Sequence, residues 1–135
     1  MKQGAISPIY DFQPRQIVCL EHETTRLYAD VVEVIASRQI CWVRPLMLVV
    51  SSEDDNPLTD LSSEQLRVYD LRQGADLLWP ASLFRAALDT EVISLLVELE
   101  NPDALKQDNN LDAHKQLSCF VRKVWQAYRS AFSAL

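Results

Sequence analysis

The chain has 135 residues, the size of one ordinary domain, and 48% of them are hydrophobic, which is enough to form a core. With 24% charged residues, two glycines and six prolines, the composition excludes collagen-like, low-complexity and wholly disordered proteins. The net charge of −6 and the pI near 4.8 argue against binding of the phosphate backbone of nucleic acids as the main activity, since that needs clustered Lys and Arg.

Three strands in an antiparallel meander are predicted between residues 15 and 50. Residues 16–22, 27–36 and 40–50 are rich in apolar and β-branched side chains, and short polar segments separate them. Pro45 lies inside the third run and has no N–H for the ladder. That strand is therefore expected to lie at an edge, to be bulged or to be split in two at Pro45.

Two shorter strands are predicted after a polar segment. Residues 51–63 contain acidic and hydroxyl side chains that cannot form a core, so we expect a solvated loop there. Leu66–Leu71 alternates between apolar and polar residues, which predicts a fourth strand. A Gln73-Gly74 turn and the short run 76–79 predict a fifth.

Helical periodicity begins at Pro80, since proline suits the first position of a helix. The residues Leu83, Phe84, Ala87 and Leu88 share one helical face, which predicts a short helix.

Two further helices are predicted from the remaining sequence. The first begins near Asp89, which can cap it, and ends at Asn101-Pro102. Only a narrow polar stripe interrupts its apolar residues, so we expect it to be largely buried. A polar loop is predicted as far as Asn110. In the segment after it, apolar residues recur at steps of three and four from Leu117 to Leu135, opposed by basic residues, which predicts an amphipathic last helix.

Strands that precede helices predict an α+β fold. We expect one domain over residues 1–135, with a small, strongly curved antiparallel sheet or five-stranded barrel at 13–79. Two or three helices at 80–135 would pack on one side of it. The strand layout, a meander with one long loop and a short last strand after a tight turn, looks like an SH3-like small barrel. The stretches TRLYADVVEV (25–34) and CWVRPL (41–46) also resemble small conserved cyanobacterial proteins without assigned function, which implies no activity.

The charge is unevenly distributed along the chain. Residues 1–50 carry five acidic and five basic residues, and residues 51–112 carry fourteen acidic and four basic ones. Residues 113–135 carry four basic residues and no acidic one. The last helix is therefore a local basic exception in an acidic protein.

The sequence predicts a cytoplasmic protein without a membrane span. Its longest apolar run, Pro45–Val50, has six residues, far fewer than the roughly 18 that a spanning helix needs. Met1–Phe12 has no apolar stretch typical of a secretory signal. The cysteines are three, an odd number, and widely spaced, unlike the pattern of a secreted disulfide scaffold.

The Cys and His residues are candidate metal ligands, because Cys19 and His22 stand at C-x2-H spacing and Cys41 lies in a neighbouring predicted strand. His114 and Cys119 lie near the last helix. Strand positions i and i+3 point to opposite faces, and helix positions i and i+5 lie about 140° apart. We therefore expect buried structural thiols, with Cys119 near the core, and no metal site.

Signatures of catalysis are not found in the sequence. Loops that cradle phosphates need glycine, and the chain has only Gly4 and Gly74, so nucleotide fingerprints are absent. The sequence has only two histidines and no nucleophile-elbow motif, so it shows no sign of the Ser, His and Asp triad of a hydrolase. We expect neither a cofactor nor an enzymatic activity.

Aromatic and arginine side chains are the remaining candidates, because Trp, Tyr and Arg dominate the energetics of protein interfaces. In a small domain the same aromatics can instead fill the core. The candidate protein-binding residues are Trp42 and Arg44 in the β half, and Arg122, Trp125, Tyr128 and Arg129 in the last helix.

These observations predict a non-enzymatic interaction protein with an assembly or regulatory role, whose basic last helix binds another protein or a second copy of the chain. The alternative is a small-barrel protein associated with RNA or the ribosome, in which Arg122, Lys123 and Arg129 contact phosphate.

Overall fold

The computed structural model describes residues 12–51, 66–100 and 109–133. In these ranges a curved, six-stranded antiparallel sheet precedes the helices, which confirms the predicted α+β fold. The strands are β1 (Ile17–His22), β2 (Thr25–Ile35), β3 (Ile40–Ser51), β4 (Leu66–Asp70), β5 (Leu77–Pro80) and β6 (Arg85–Ala86). The helices are α1 (Asp89–Glu100), α2 (Asn109–Ala127) and α3 (Arg129–Ser133). The predicted loop at 51–63 lies, apart from Ser51, outside the described residues.

The first three strands form the predicted meander. β2 pairs with β1 on one side and with β3 on the other, in a register that places Leu27 opposite both Leu20 and Leu48. Each of the two connections contains a polar residue in the left-handed backbone region, Glu23 and Gln39, both with φ of 56°. Left-handed residues allow short turns whose twist matches that of the strands they join.

β3 is one continuous strand that changes its outer partner near Pro45. On the side away from β2, its first half pairs with β5 and its second half with β4. Towards β2, Tyr28 faces Met47 and Ala29 faces Pro45, so Leu46 is the extra residue of a bulge. Of the three predicted arrangements, the bulge is observed, and so is the edge position, because Pro45 has no paired residue among the described ones on the outer side of β3; the strand is not split.

Residues 77–86 connect the two outer edges of the meander. β5 pairs with β3, a 3-10 turn follows at Ala81–Leu83, and β6 pairs with β1. This segment therefore closes the path through β3, β2 and β1 into a ring, the layout of a small barrel. The short helix predicted after Pro80 is present only as the 3-10 helix Ala81–Leu83. It does not continue to Leu88 as predicted, because the backbone of β6 pairs with the edge of β1 that would otherwise lack a partner.

Both faces of the sheet are apolar, and a helix covers each of them. Val18–Leu20 and Met47–Val49 are fully buried through three consecutive residues, which alternate between the faces. One cluster joins Val18, Leu20 and Leu48 to Phe120 and Val124 of α2, and another joins Cys19, Met47 and Val49 to Val92, Leu95 and Leu99 of α1. The prediction that the helices pack on one side is wrong, because strands buried on both faces need cover on both.

The helices differ from the predicted ones in burial and length. α1 is not largely buried, since Ile93 and Val97 are 61% and 67% exposed. A helix lying on a sheet turns only one face towards it, so an apolar residue on another face stays outside. The last helix begins at Asn109, earlier than predicted, and is interrupted at Tyr128 between α2 and α3. In the described part of the chain, no helix is long and apolar enough to cross a membrane.

Candidate protein interface

The C-terminal helices are attached to the sheet through one side. Phe120 and Val124 of α2 are buried in the first cluster. Phe132 of α3 packs edge-on against Trp79 of β5, with 5.5 Å between the ring centroids. Residues three and four positions apart share a helical face, so these anchors determine which side chains of α2 and α3 point to solvent.

Three of the predicted residues, Arg122, Trp125 and Arg129, follow one another at helical spacing on the solvent side. They are named here the basic aromatic face. Trp125 is 46% exposed, and the guanidinium carbon of Arg129 lies 4.9 Å from the centroid of its ring, a cation–π contact. The contact holds a large apolar surface and a positive charge in one orientation, a combination enriched in interface hot spots.

The charges of this face have no acidic partner in the described part of the protein. Among residues 12–51, 66–100 and 109–133, the arginines that form ion pairs are Arg26, Arg44, Arg72 and Arg85. Arg122, Lys123 and Arg129 form no ion pair with these residues. They can therefore meet an acidic group from outside without losing an ion pair to the described residues.

Tyr128 lies beside the basic aromatic face and has a different role. Its ring meets that of His22 edge-on, with 5.7 Å between the centroids and 76° between the planes. Because His22 ends β1, this contact ties the junction of α2 and α3 to the first hairpin. Tyr128 is 37% exposed, so only its outer part borders the surface around Trp125.

Trp42 and Arg44, the other two predicted residues, lie on β3, and both donate hydrogen bonds to Asp76, which directly precedes β5. The indole Nε1 of Trp42 donates to Asp76 Oδ2 at 3.0 Å, and Nε of Arg44 donates to Oδ1 at 3.3 Å. The hydrogen bond from Trp42 and the charge of Arg44 lower the pKa of Asp76. These contacts brace β3 against the start of β5, so Trp42 is a half-buried structural residue.

A second exposed surface was missed in the sequence. Asp89, Ile93, Val97 and Glu100 follow one another at steps of four, four and three along α1, and all four are exposed. They are named here the α1 face. The sequence contained the signal, because Val92, Leu95 and Leu99 already supply one complete buried side of this helix, which leaves Ile93 and Val97 on another.

Glu91 fastens α1 to the sheet. Its Oε1 accepts hydrogen bonds from Arg85 at 2.9 Å and from the backbone N–H of Leu88 at 2.8 Å, and its Oε2 accepts one from the hydroxyl of Tyr28. The bond to Leu88 is the glutamate half of a capping box. The hydrogen bonds, chiefly that from Arg85, lower the pKa of Glu91 to about 2. The carboxylate therefore stays ionised at neutral pH and serves as an anchor.

The cysteines divide into two buried and one exposed. Cys19 and Cys41 are buried as predicted, and burial raises the pKa of each thiol to about 11. Cys119 is exposed, contrary to prediction, because its neighbour Phe120 takes the buried position on α2. It lines a cavity of about 40 Å³ together with His22. Within the described ranges, no three His, Cys, Asp or Glu side chains are grouped so as to hold a metal ion.

The geometry defines a class of protein: a small α+β protein whose curved sheet is covered by a helix on each face. It presents two exposed helix surfaces, one basic and one acidic. No family model, no curated protein and no solved structure matches the chain. The function is therefore argued from these surfaces alone.

Proposed function

We propose that the protein is a non-enzymatic, cytoplasmic interaction protein with an assembly or regulatory role, and that the basic aromatic face binds its partner. The observation that carries the proposal is Trp125, which remains 46% exposed while Arg129 stacks on its ring. A tryptophan held in a fixed orientation offers a partner much apolar area at little further cost in conformational entropy.

The chemistry of the face indicates an acidic partner. Arg122 and Arg129 stand on either side of Trp125 and form no ion pair within the described ranges. A partner that places carboxylates around an apolar pocket would cover the indole and neutralise both guanidinium groups. Arg can bind each carboxylate through two parallel hydrogen bonds, which adds specificity of orientation.

Two further observations support a non-catalytic role in a reducing compartment. The ionised groups around Glu91 and Asp76 are used in hydrogen bonds that hold secondary structure together. Cys19, Cys41 and Cys119 are free thiols, as is usual for proteins of the cytoplasm.

The proposal is tested by affinity purification of the tagged protein from the cells that produce it, with and without nuclease. Trp125→Ala is the test variant, and Gln126→Ala is the matched control, an exposed neighbour on the same helix. Wild type and the control should retain a stoichiometric protein partner that resists nuclease. Trp125→Ala should reduce its recovery at least about tenfold, as truncation of a hot-spot tryptophan does.

A partner that binds Trp125→Ala as well as wild type would contradict the role of this face. Recovery of only RNA and ribosomal proteins, lost on nuclease treatment, would support the second candidate function, a small-barrel RNA-associated protein. The observation that favours this candidate is the same set of cations without ion pairs in the described ranges, Arg122, Lys123 and Arg129.

The RNA candidate has its own direct test. Three cations on one surface predict a weak, salt-dependent complex with single-stranded RNA, with a log-log salt slope of about −2. A gel-shift titration at about 50 mM salt would detect it. Absence of any shift there would remove this candidate and leave the protein-binding proposal in place.

A further inference from the structure

The two exposed helix surfaces lie on opposite faces of the sheet. α1 covers the cluster that contains Cys19 and Met47, whereas α2 covers the cluster that contains Val18 and Leu48. Neighbouring residues of a strand point to opposite faces, so the outer surfaces of α1 and α2 point away from each other. One copy of the chain therefore cannot bring its own two surfaces together.

The α1 face has an apolar centre and acidic ends. Ile93 and Val97 are 61% and 67% exposed, and Asp89 and Glu100 stand one turn beyond them. α1 has four acidic residues and no basic one. Arg72 pairs with Glu100 at 2.7 Å, but it also pairs with Asp70, so this small cluster remains negative.

The basic aromatic face repeats this pattern with the opposite charge. Trp125 forms an apolar centre, and Arg122 and Arg129 stand three and four positions away on either side. The α1 face lies on one helix and the basic aromatic face spans the junction of α2 and α3, and each has an exposed apolar centre between charged ends. The two faces are therefore complementary in both polarity and charge.

We propose that the α1 face of one copy binds the basic aromatic face of a second copy; the inference rests on the proposed function, because it names the partner of that same face. Trp125 packs against Ile93 and Val97 of the neighbouring molecule. The carboxylates of its α1 meet Arg122 and Arg129, which find no acidic partner among the described residues of their own chain.

Charge repulsion disfavours a symmetric dimer in which two α1 faces, or two basic aromatic faces, meet. Two α1 faces would oppose the acidic ends of one copy, Asp89 and Glu100, to those of the other, and two basic aromatic faces would oppose arginine to arginine. The contact is therefore heterologous, and a dimer formed by it still offers one free face of each kind, one on each copy. Such a contact builds chains or rings, and added salt weakens it.

The test uses light scattering of the purified full chain over a range of concentrations at low and high salt. The α1 variant is the double substitution I93A/V97A, and its matched control is Ser94→Ala, an exposed position of the same helix. Trp125→Ala and its control Gln126→Ala probe the other face. All four changes introduce alanine at exposed helix positions, so folding should be retained, which circular dichroism checks.

Wild type and both controls should show a mass that rises with concentration and falls at high salt. Each interface variant alone should associate at least about tenfold more weakly. A mixture of the two variants should restore association, but only as far as a 1:1 dimer. In that mixture the α1 face of one variant and the basic aromatic face of the other are intact, and the dimer has no intact face left to extend.

A wild-type protein that stays monomeric at every concentration would overturn the inference, and so would a mixture of variants that stays monomeric. Association that survives either variant alone would also overturn it. If Trp125→Ala still loses a cellular partner while wild type does not associate with itself, only the identity of the partner fails. If Trp125→Ala retains both the cellular partner and any self-association of the wild type, the proposed function fails as well.

Discussion

Replacing Glu91 by Gln tests how α1 is held on the sheet. In the wild type the Glu91 carboxylate accepts hydrogen bonds from Arg85, Tyr28 and the backbone of Leu88, and only 18% of the side chain is exposed. Gln keeps an acceptor oxygen for the backbone N–H of Leu88, as in other capping boxes. The substitution therefore removes the charge that Arg85 meets and the oxygen that accepts from the Tyr28 hydroxyl.

The pKa of Glu91 sets the magnitude and the pH dependence. A folded-state pKa of about 2, against the ordinary value of 4.5, corresponds to about 3 kcal/mol of stability at neutral pH. The side chain of Arg85 is 42% exposed, so solvent screening reduces this, and we expect a loss of about 1–2 kcal/mol. Because folding depresses this pKa, the stabilisation is present above the unfolded value of 4.5 and is lost as the pH falls towards about 2.

Urea unfolding of wild type and Glu91→Gln at about pH 7 and about pH 3 measures both quantities. The difference in unfolding free energy should be about 1–2 kcal/mol at the higher pH and less than half of that at the lower one. Glu100→Gln is the control on the same helix, with a 68% exposed carboxylate paired to Arg72, and should cost less than about 0.5 kcal/mol. A difference between wild type and Glu91→Gln that is negligible, or that does not change with pH, would refute the reasoning.

Two further predictions concern the cysteines and the tryptophan on β3. Cys119 should react with a thiol reagent in the native protein, whereas the buried Cys19 and Cys41, whose pKa values are about 11, should react only on unfolding. Counting fast and slow thiols by absorbance checks this, and three fast thiols would contradict the burial. Trp42→Phe should lower the unfolding free energy by about 1 kcal/mol, because Asp76 loses its indole donor at 3.0 Å, and an unchanged urea midpoint would contradict this.

The strands were predictable because they depend on a local pattern of residues in the sequence. Apolar, β-branched segments interrupted by short polar turns allow few structures other than an antiparallel meander. Pro45 limited the possible structures of the third strand to three, since a residue without an N–H cannot donate a hydrogen bond to a neighbouring strand. Which of them occurs depends on the register with β2, where Leu46 is the extra residue, and registers are set by both strands together.

The predictions for the segment after Pro80 and for the burial of α1 were wrong for the same reason, because both depend on contacts with distant parts of the chain. β6 contains only Arg85 and Ala86, too few residues to show a periodicity, and it is extended because the edge of β1 offers it hydrogen bonds. In α1 the apolar content correctly indicated burial, but not how much of the helix the sheet could cover. Ile93 and Val97 are exposed because Val92, Leu95 and Leu99 already occupy the contact with the sheet.

The candidate site was predictable only where it depends on helical spacing, which continues from α2 to Arg129 of α3. Arg122, Trp125 and Arg129 could be grouped because steps of three and four define a helical face. Trp42 and Arg44 stand two residues apart on a strand and were chosen for their residue types, which are common in interfaces. Their partner Asp76 lies 34 residues from Trp42 along the chain, and no local pattern relates the two.

The order of the chain accounts for the opposite charges of the two exposed faces. A sheet buried on both sides needs two covering elements, and α1 and α2 follow it in sequence, one for each side. The acidic residues concentrate before residue 113 and the basic ones after it, so the boundary between charges falls within the start of α2. The first covering helix is therefore acidic and the second basic. Because the two helices lie on opposite faces, the charge asymmetry along the sequence gives the folded molecule an acidic side and a basic side. A head-to-tail assembly of identical copies requires two such complementary sides on each copy, whereas binding of a single different partner requires only one.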